Sequence, residues 1–117
     1  MAVVRGLFLP RRGNFLALIG NPSSKALLRR VSGTLLEETA LRIRPVILPT
    51  HAPGAWSSDH WSFWQEGFPA VMATDTAPLR YRFYHTREDT PDKIDFGWLD
   101  HVVGSLKLVV ANLGTPS

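Results

Sequence analysis

The stretch Asn14–Leu48, NFLALIGNPSSKALLRRVSGTLLEETALRIRPVIL, decides what fold this chain can adopt. It opens on a short apolar run, 14–20, bounded by glycine and by Asn-Pro, which is typical of a buried strand. Apolar residues then recur every three or four positions over 25–38, which predicts an amphipathic helix after a serine N-cap. The run 41–48 begins in strict alternation, and its Pro45 favours a strand at a sheet edge or near a strand end. Together the three segments predict a strand–helix–strand unit.

The rest of the chain predicts two more helices and one more strand. A Pro-, Gly- and Ser-rich loop is expected over 49–58, followed by a short helix over His60–Gln65 that Ser58 or Asp59 could cap. A third strand is expected over 69–74, then a long irregular segment over 75–91, and such segments are often functional. The last helix is expected to start at Thr90-Pro91-Asp92 and to end at Gly114. The order β-α-β-α-β-α predicts an α/β layered fold. The last helix has a broad apolar face made of Ile94, Trp98, Leu99, Val102, Val103, Leu106, Val109 and Val110.

Composition narrows the classes of function. Of the 117 residues 44% are apolar, which suits one globular domain, and the absence of cysteine excludes disulfides and thiolate metal sites. Residues 1–58 carry eight Lys or Arg against two acids, and residues 59–117 carry five against eight. The basic residues are scattered without interleaved aromatics, so nucleic-acid binding is not favoured. No signal peptide is visible and no run approaches the roughly 18 apolar residues of a membrane helix, so we expect a soluble chain of undetermined location.

Most side chains with chemical potential lie in the segment from Ser58 to Lys93, which holds two His, four Asp and two Glu. Within it, His85 is closely followed by Glu88 and Asp89. Neutral imidazole is a common zinc ligand, and ligating histidines usually donate their second N–H to a carboxylate or carbonyl oxygen. From these residues alone, His85 is either a metal ligand or a structural histidine in an acidic loop.

The other histidines have weaker local support. Asp59-His60 stands where a loop becomes a helix, and there the pattern favours Asp59 as an N-cap and His60 as a surface residue. His51 and His101 have no supporting constellation, and His101 is expected to face solvent. The chain contains no glycine-rich phosphate loop, no HExxH and no nucleophile elbow around a serine.

The order and spacing of short motifs along the chain add a family resemblance. The chain resembles the C-terminal part of the zinc aminopeptidases, a family that includes bacterial leucyl aminopeptidases, glutamate carboxypeptidases and, more distantly, glutaminyl cyclases. The segment 12–21, RGNFLALIGN, also looks like bacterial members, so the resemblance covers nearly the whole chain. The matching motifs are Ser58-Asp59-His60, Phe63-Trp64, Gly67-Phe68-Pro69-Ala70, Thr74-Asp75-Thr76, Tyr84-His85, Asp89-Thr90 and Asp92.

This resemblance implies a fold, a cofactor and a set of site residues. It implies an α/β/α sandwich, of which this chain would hold an incomplete half with about three strands and three helices. It implies peptide substrates and two zinc ions, with His85 as a zinc ligand. Ser58 and Asp59 would then line the substrate side or support the site, Tyr84 would neighbour the ligand, and Asp89 would orient it.

Several parts of that site have no counterpart in this sequence. The family's His-x-Asp motif has no match, because no histidine precedes residue 51, and the pair Glu37-Glu38 lies on the wrong predicted helix. We therefore expect residues 1–117 to be the C-terminal portion of a zinc metallopeptidase domain whose N-terminal portion is absent. Its activity would require that missing portion, so whether the chain by itself is an enzyme stays open.

Two alternatives follow from the missing ligands. The chain could be a non-catalytic remnant that acts as a binding or dimerisation module, because half a sandwich leaves a sheet edge and an apolar face unpaired, and such surfaces recruit partners. A homodimer or the missing N-terminal half would then be the partner. A symmetric pair of chains could also assemble a minimal zinc site from His85, Asp59 and Asp89.

Overall fold

The computed structural model describes residues 2–4, 7–52, 55 and 57–116, and the predicted loop over 49–58 lies partly outside them. It confirms the α/β class: a three-stranded mixed sheet is combined with helices, as the sequence predicts. In the described residues, no helix combines the length and the hydropathy needed to cross a bilayer. The strands are β1 (Ala2–Val4), β2 (Leu7–Leu9), β3 (Leu16–Gly20), β4 (Ile43–Ile47) and β5 (Met72–Thr74), and the α-helices are α1 (Lys25–Glu38), α2 (His60–Gln65), α3 (Ala77–Arg80) and α4 (Phe96–Leu113).

The sheet has the order β4-β3-β5, with β3 in the centre. β3 pairs in parallel with β4 and antiparallel with β5, so that Leu18 lies opposite both Pro45 and Ala73. A parallel pair needs a crossover connection, and α1 supplies it. Pro45 is exposed within β4, an edge strand, where its missing N–H removes no bond from the sheet interior. Of the two positions that the sequence predicts for this proline, a sheet edge or a strand end, the structure shows the sheet edge.

One face of β3 forms the main core. Leu18 is fully buried and packs with residues of both long helices, so α1 and α4 lie on the same side of the sheet. The apolar spacing of α1 places Leu28, Val31 and Leu35 toward this core, as the periodicity predicts, while Leu36 stays exposed. Burial of such aliphatic side chains is worth about 1.5–3 kcal/mol each and is the main source of stability for this layer. The buried cluster consists of Leu16, Leu18, Leu28, Val31, Leu35, Leu41, Val102 and Val109.

The opposite face of β3 is covered in part by an arginine. Phe15 and Ala17 are buried there as a separate small cluster. The guanidinium carbon of Arg80, at the end of α3, lies 5.4 Å from the centroid of the Phe15 ring. Arg80 Nη1 also donates hydrogen bonds of 2.9 Å to the carbonyl oxygens of Pro10 and Arg11. The Arg80 side chain therefore connects α3, which follows β5, to the residues that precede β3.

A second arginine joins the two long helices. Arg30 of α1 donates from Nε to the side-chain oxygen of Asn112 over 3.1 Å, and from Nη2 to the carbonyl oxygens of Asn112 (2.5 Å) and Thr115 (2.9 Å). The Asn112 carbonyl belongs to the last turn of α4 and Thr115 follows the helix, and at such an end the last carbonyls lack intrahelical partners and a positive charge is favourable. Arg30 thereby caps α4 and fixes it against α1.

A buried polar network lies at the carboxyl end of β3. The hydroxyl of Ser24 is fully buried and donates to Oδ1 of Asn21 over 2.6 Å, while it accepts the backbone N–H of Ala70 over 3.0 Å. Asn21 in turn donates to Oγ1 of Thr50 over 3.2 Å. Ser24 does not cap α1 with its side chain, contrary to the sequence prediction, because these long-range partners occupy its hydroxyl.

The structure differs from the sequence prediction in three further elements. Strands β1 and β2 pair antiparallel, whereas the first strand that the sequence predicts is the run 14–20. The segment over 75–91 contains the one-turn helix α3. Pro91–Lys93 forms a separate 3-10 turn, and α4 begins only at Phe96, because the Asp95 carboxylate accepts the N–H of Trp98 and acts as the N-cap.

Replacing Gly33 with alanine is expected to stabilise the chain by about 0.5–1 kcal/mol, because glycine inside a helix costs backbone entropy. A Cβ at this position in α1 would meet no heavy atom within 4 Å. Urea unfolding followed by circular dichroism measures the change. Gly67→Ala is the matched control and should destabilise, because Gly67 has a φ of +79°. A Gly33→Ala midpoint below that of the unmodified chain would contradict this account of α1.

Candidate functional site

The predicted metal ligand lies on an exposed turn between α3 and α4. His85 is exposed, and its ring centroid lies 4.0 Å from that of Tyr84 at an interplanar angle of 46°. Within the part of the chain that the structure describes, neither ring nitrogen of His85 forms a hydrogen bond. The imidazole is therefore available to a ligand from outside this turn.

The backbone around this histidine is held in an unusual conformation. His85 has a φ of 58° and Thr76 a φ of 66°, and these are the two non-glycine residues with positive φ in the described ranges 2–4, 7–52, 55 and 57–116. Such residues cost about 1–3 kcal/mol each and cluster at functional sites. Both fall within the segment over 75–91 that the sequence predicts to be long and irregular, and segments of this kind are often functional.

Polar contacts on both sides of His85 hold the turn that carries it. The hydroxyl of Thr86 donates to the carbonyl oxygen of Phe83 over 2.6 Å. Lys93 Nζ donates to the carbonyl oxygen of Glu88 over 2.5 Å and to Oγ1 of Thr90 over 2.8 Å, and it lies 4.8 Å from the centroid of the Phe83 ring. These contacts order the residues on both sides of His85 while leaving its ring free.

Asp89 contacts a residue other than His85 in this structure. Its Oδ1 accepts a 3.0 Å hydrogen bond from the hydroxyl of Tyr81. Burial of the hydroxyl raises the pKa of Tyr81, and its hydrogen bond to Asp89 and the nearby negative charges raise it further. The orienting role of Asp89 toward His85 stays a prediction.

Asp92 is the carboxylate whose ionisation this segment favours most clearly. The hydroxyl of Thr90 donates to Asp92 Oδ1, and this hydrogen bond lowers the pKa of Asp92, with a smaller contribution from the charge of Lys93. Because the pKa is lower in the folded chain, the ionised carboxylate stabilises the fold above the ordinary pKa of aspartate. That contribution is lost as the pH falls through the folded-state pKa.

Replacing Thr90 with valine is expected to raise the pKa of Asp92 toward its ordinary value, because valine keeps the shape and removes the donor. Thr90→Ser keeps the hydroxyl and should leave the pKa low. Carboxylate chemical shifts measured over an acid titration report both values. Equal pKa values of Asp92 in the two variants would contradict the assignment of the shift to this hydrogen bond.

Ser58 and Asp59 line a different feature, a cavity of about 270 Å³ at the start of α2. Asp59 stands at the N-cap position, but its side chain accepts no capping hydrogen bond, so the exposed carboxylate is free to meet a ligand. Phe63, which is 55% exposed, makes part of the cavity wall apolar. The cavity is lined by Ser58, Asp59, His60, Phe63, Ala70, Val71 and Met72.

His60 is buried, so its interpretation as a surface residue is wrong. Its Nε2 lies 2.5 Å from the carbonyl oxygen of Ala55, and its ring packs edge-on against Trp64 with centroids 4.7 Å apart. Trp64 is fixed in turn by a 2.9 Å hydrogen bond from Nε1 to the carbonyl oxygen of Ala70. The signal in the sequence is the i, i+4 spacing of His60 and Trp64, which places both on the same face of a helix. His101, by contrast, is exposed as expected.

The predicted site residues fall into two groups. Ser58 and Asp59 lie at the cavity beside α2, and Tyr84, His85 and Asp89 lie on the turn after α3. Zinc sites use at least three protein ligands. Among the described residues, no three His, Asp or Glu side chains come together in a way that could hold a metal ion. The described residues of one chain therefore do not fit a zinc site by themselves, and His85 is the one candidate ligand that the motifs support.

One family model and one relative match this chain. The model of peptidase family M28 matches residues 10–109 of this chain. The Escherichia coli (strain K12) protein described as "Uncharacterized protein YfbL" is 34% identical over 103 residues, which cover 88% of this chain and 32% of that protein. The chain thus spans about a third of the length of this relative. No solved structure matches significantly.

Proposed function

This chain belongs to peptidase family M28, and we propose that it is the C-terminal portion of a zinc-dependent exopeptidase of the aminopeptidase type. Because the chain matches this family, it has a peptidase-like domain. Members of the family are generally metal-dependent. In the proposal, the chain supplies one metal ligand, His85, and part of the substrate side. It is inactive until further protein completes the site.

The observation that carries the proposal is the state of His85. Its ring is exposed and has no hydrogen-bond partner among the described residues, yet its backbone is held at a φ of 58°. A histidine in a purely structural role would normally use its ring nitrogens within the fold, because a satisfied hydrogen bond is what holds such a side chain in place. A strained backbone that presents a free imidazole suits a ligand that completes a site with outside groups.

The requirement for additional protein rests on ligand number. One imidazole cannot hold zinc tightly, because structural and catalytic zinc sites take three or four protein ligands. The E. coli relative is about three times as long as the segment that it shares with this chain, since that segment makes up 32% of its length. The missing ligands would come from the residues outside that segment.

The cavity beside α2 is the proposed position for the N-terminal residue of a peptide. The exposed Asp59 carboxylate is suited to a substrate ammonium group, and Phe63 and Met72 offer apolar surface to its side chain. Ser58 lies at the same rim. This arrangement would favour substrates with a free amino terminus over blocked ones.

A chimera tests this function. In it, this chain replaces the matching third of the E. coli relative, and the assay compares leucine p-nitroanilide with N-acetyl-leucine p-nitroanilide. We expect the zinc-loaded chimera to hydrolyse the free-amine substrate, the acetylated substrate to react at least about 10-fold more slowly, and the isolated chain to be inactive. The unmodified E. coli protein is the positive control. A folded chimera that hydrolyses neither substrate, beside an active control, would contradict the proposal.

A further inference from the structure

The outer side of α4 carries a continuous apolar surface, called here the α4 stripe. It consists of residues that a folded chain usually buries, and Phe96, Val103 and Val110 are 61%, 58% and 69% exposed. The opposite side of the same helix packs into the core through Val102 and Val109. Isolated exposed apolar residues are ordinary, but a contiguous row of them marks an interaction surface. The α4 stripe is formed by the exposed residues Phe96, Leu99, Val103, Val110 and Leu113, together with Leu106 at its inner edge, which is partly buried against the core.

The spacing of the α4 stripe is that of a helix pairing surface. Its members alternate steps of three and four residues over the whole helix, which is the a and d pattern of a heptad repeat. With Phe96 at an a position, Val103 and Val110 also take a positions, and Leu99, Leu106 and Leu113 take d positions. In this pattern the a and d side chains of one helix pack between the side chains of a second helix. A second helix is therefore the expected partner of the stripe.

Two charges beside the stripe select the partner and its direction. Asp100 and Lys107 occupy successive e positions, and both flank the stripe on the side away from the core residues Val102 and Val109, which hold the g positions. In an antiparallel pair, e positions of one helix face e positions of the other, whereas in a parallel pair they face g positions. Only the antiparallel arrangement therefore gives these charges a partner.

We propose that two copies of this chain pair antiparallel through the α4 stripe around a two-fold axis. In that register Val103 meets Leu106 of the second copy, and Phe96 meets Leu113 of the second copy. The same register places Asp100 opposite Lys107 of the second copy, and the two-fold axis repeats this ion pair. The stripe is thus complementary to itself in both residue spacing and charge. The proposal requires neither metal nor peptidase activity.

Sedimentation velocity over a range of concentrations tests the pairing. We expect the isolated chain to be a dimer and Val103→Glu to weaken it by about 100-fold, because central apolar positions dominate such interfaces. Val103 is exposed in the single chain, so circular dichroism should show an unchanged fold. Leu36→Glu is the matched control: Leu36 is 66% exposed on α1, outside the stripe, and this variant should leave the dimer intact.

Charge exchange tests the antiparallel register. Asp100→Lys alone and Lys107→Asp alone each create two like-charge pairs, and each variant should dimerise about 10-fold more weakly. The double variant restores both pairs and should recover the dimer. Mixing the two single variants should give a heterodimer, because both lysines of the first variant then face both aspartates of the second variant across the axis.

Three results would overturn the proposal. A chain that is monomeric at every concentration leaves the stripe to another segment of a longer polypeptide or to a different protein. A dimer that survives Val103→Glu uses another surface. A dimer lost in Val103→Glu but indifferent to all the charge exchanges pairs in a different register.

Discussion

Replacing His85 with alanine in the chimera is expected to lower its zinc affinity by at least about 100-fold, because loss of a group that merely supports a ligand already costs about 10–100-fold. His85 is exposed and its ring has no hydrogen-bond partner within the described ranges, so the substitution removes a donor without opening a cavity. Elemental analysis after dialysis against a weak chelator gives the zinc content.

His101→Ala is the matched control for this experiment. His101 is also exposed, lies on α4 and belongs to no matched motif, so its removal should leave the zinc content unchanged. Equal zinc content in the chimera, His85→Ala and His101→Ala would show that His85 is not a ligand. The peptidase proposal would then need a different contribution from this chain.

Replacing Leu18 with alanine is expected to destabilise the isolated chain by about 2–5 kcal/mol, the usual range for a leucine deleted from a core that cannot collapse around the gap. Leu18 is 0% exposed at the centre of β3, between two paired strands and beneath both long helices. Because small domains are stable by only about 5–15 kcal/mol in total, this one change removes a large share.

Leu36→Ala provides the comparison for Leu18→Ala. The same residue type is 66% exposed on α1 there, and its truncation should change the free energy of unfolding by less than about 0.5 kcal/mol. Urea unfolding of the two variants under identical conditions gives both values. Similar losses at the two positions would mean that β3 is not the centre of the core.

The part of the fold that local pattern specifies is the unit from β3 to β4. The apolar run of β3, the three-to-four spacing of α1 and the position of Pro45 are all compatible with one strand–helix–strand unit, so these local signals agree with one another. The pairing of β1 with β2 is not predictable from the sequence, because each strand has three residues, too few to show an alternating pattern.

The apolar face predicted for the last helix shows a different limit. Periodicity identifies which residues of α4 are apolar, but not what covers them. The structure divides this face between the core, with Val102 and Val109, and the exposed α4 stripe, with Leu99, Val103 and Val110. A helix that is apolar over so wide an arc has two sides to bury, and one chain in the described ranges covers only one of them.

The candidate site was found by motif order rather than by periodicity. No local rule distinguishes His85 from a structural histidine, and no local pattern predicts its left-handed backbone, which lies beside the contacts of Lys93 and Thr86. The burial of His60 is accompanied by a contact with the carbonyl oxygen of Ala55, in a loop whose path the sequence does not predict. The sequence pattern therefore predicts which residues could belong to a site, and tertiary contacts determine which of them are accessible to a ligand.

The nitrogen chemical shifts of the His85 ring, measured by NMR in the histidine-labelled chimera before and after zinc is added, test the central claim most directly. If this chain supplies a ligand to a metal site completed by other residues, one ring nitrogen of His85 should shift on zinc addition, and His51 and His101 should not respond. The isolated chain should show no such change at the same zinc concentration. A chimera that takes up zinc while the His85 nitrogens stay unchanged would contradict the claim.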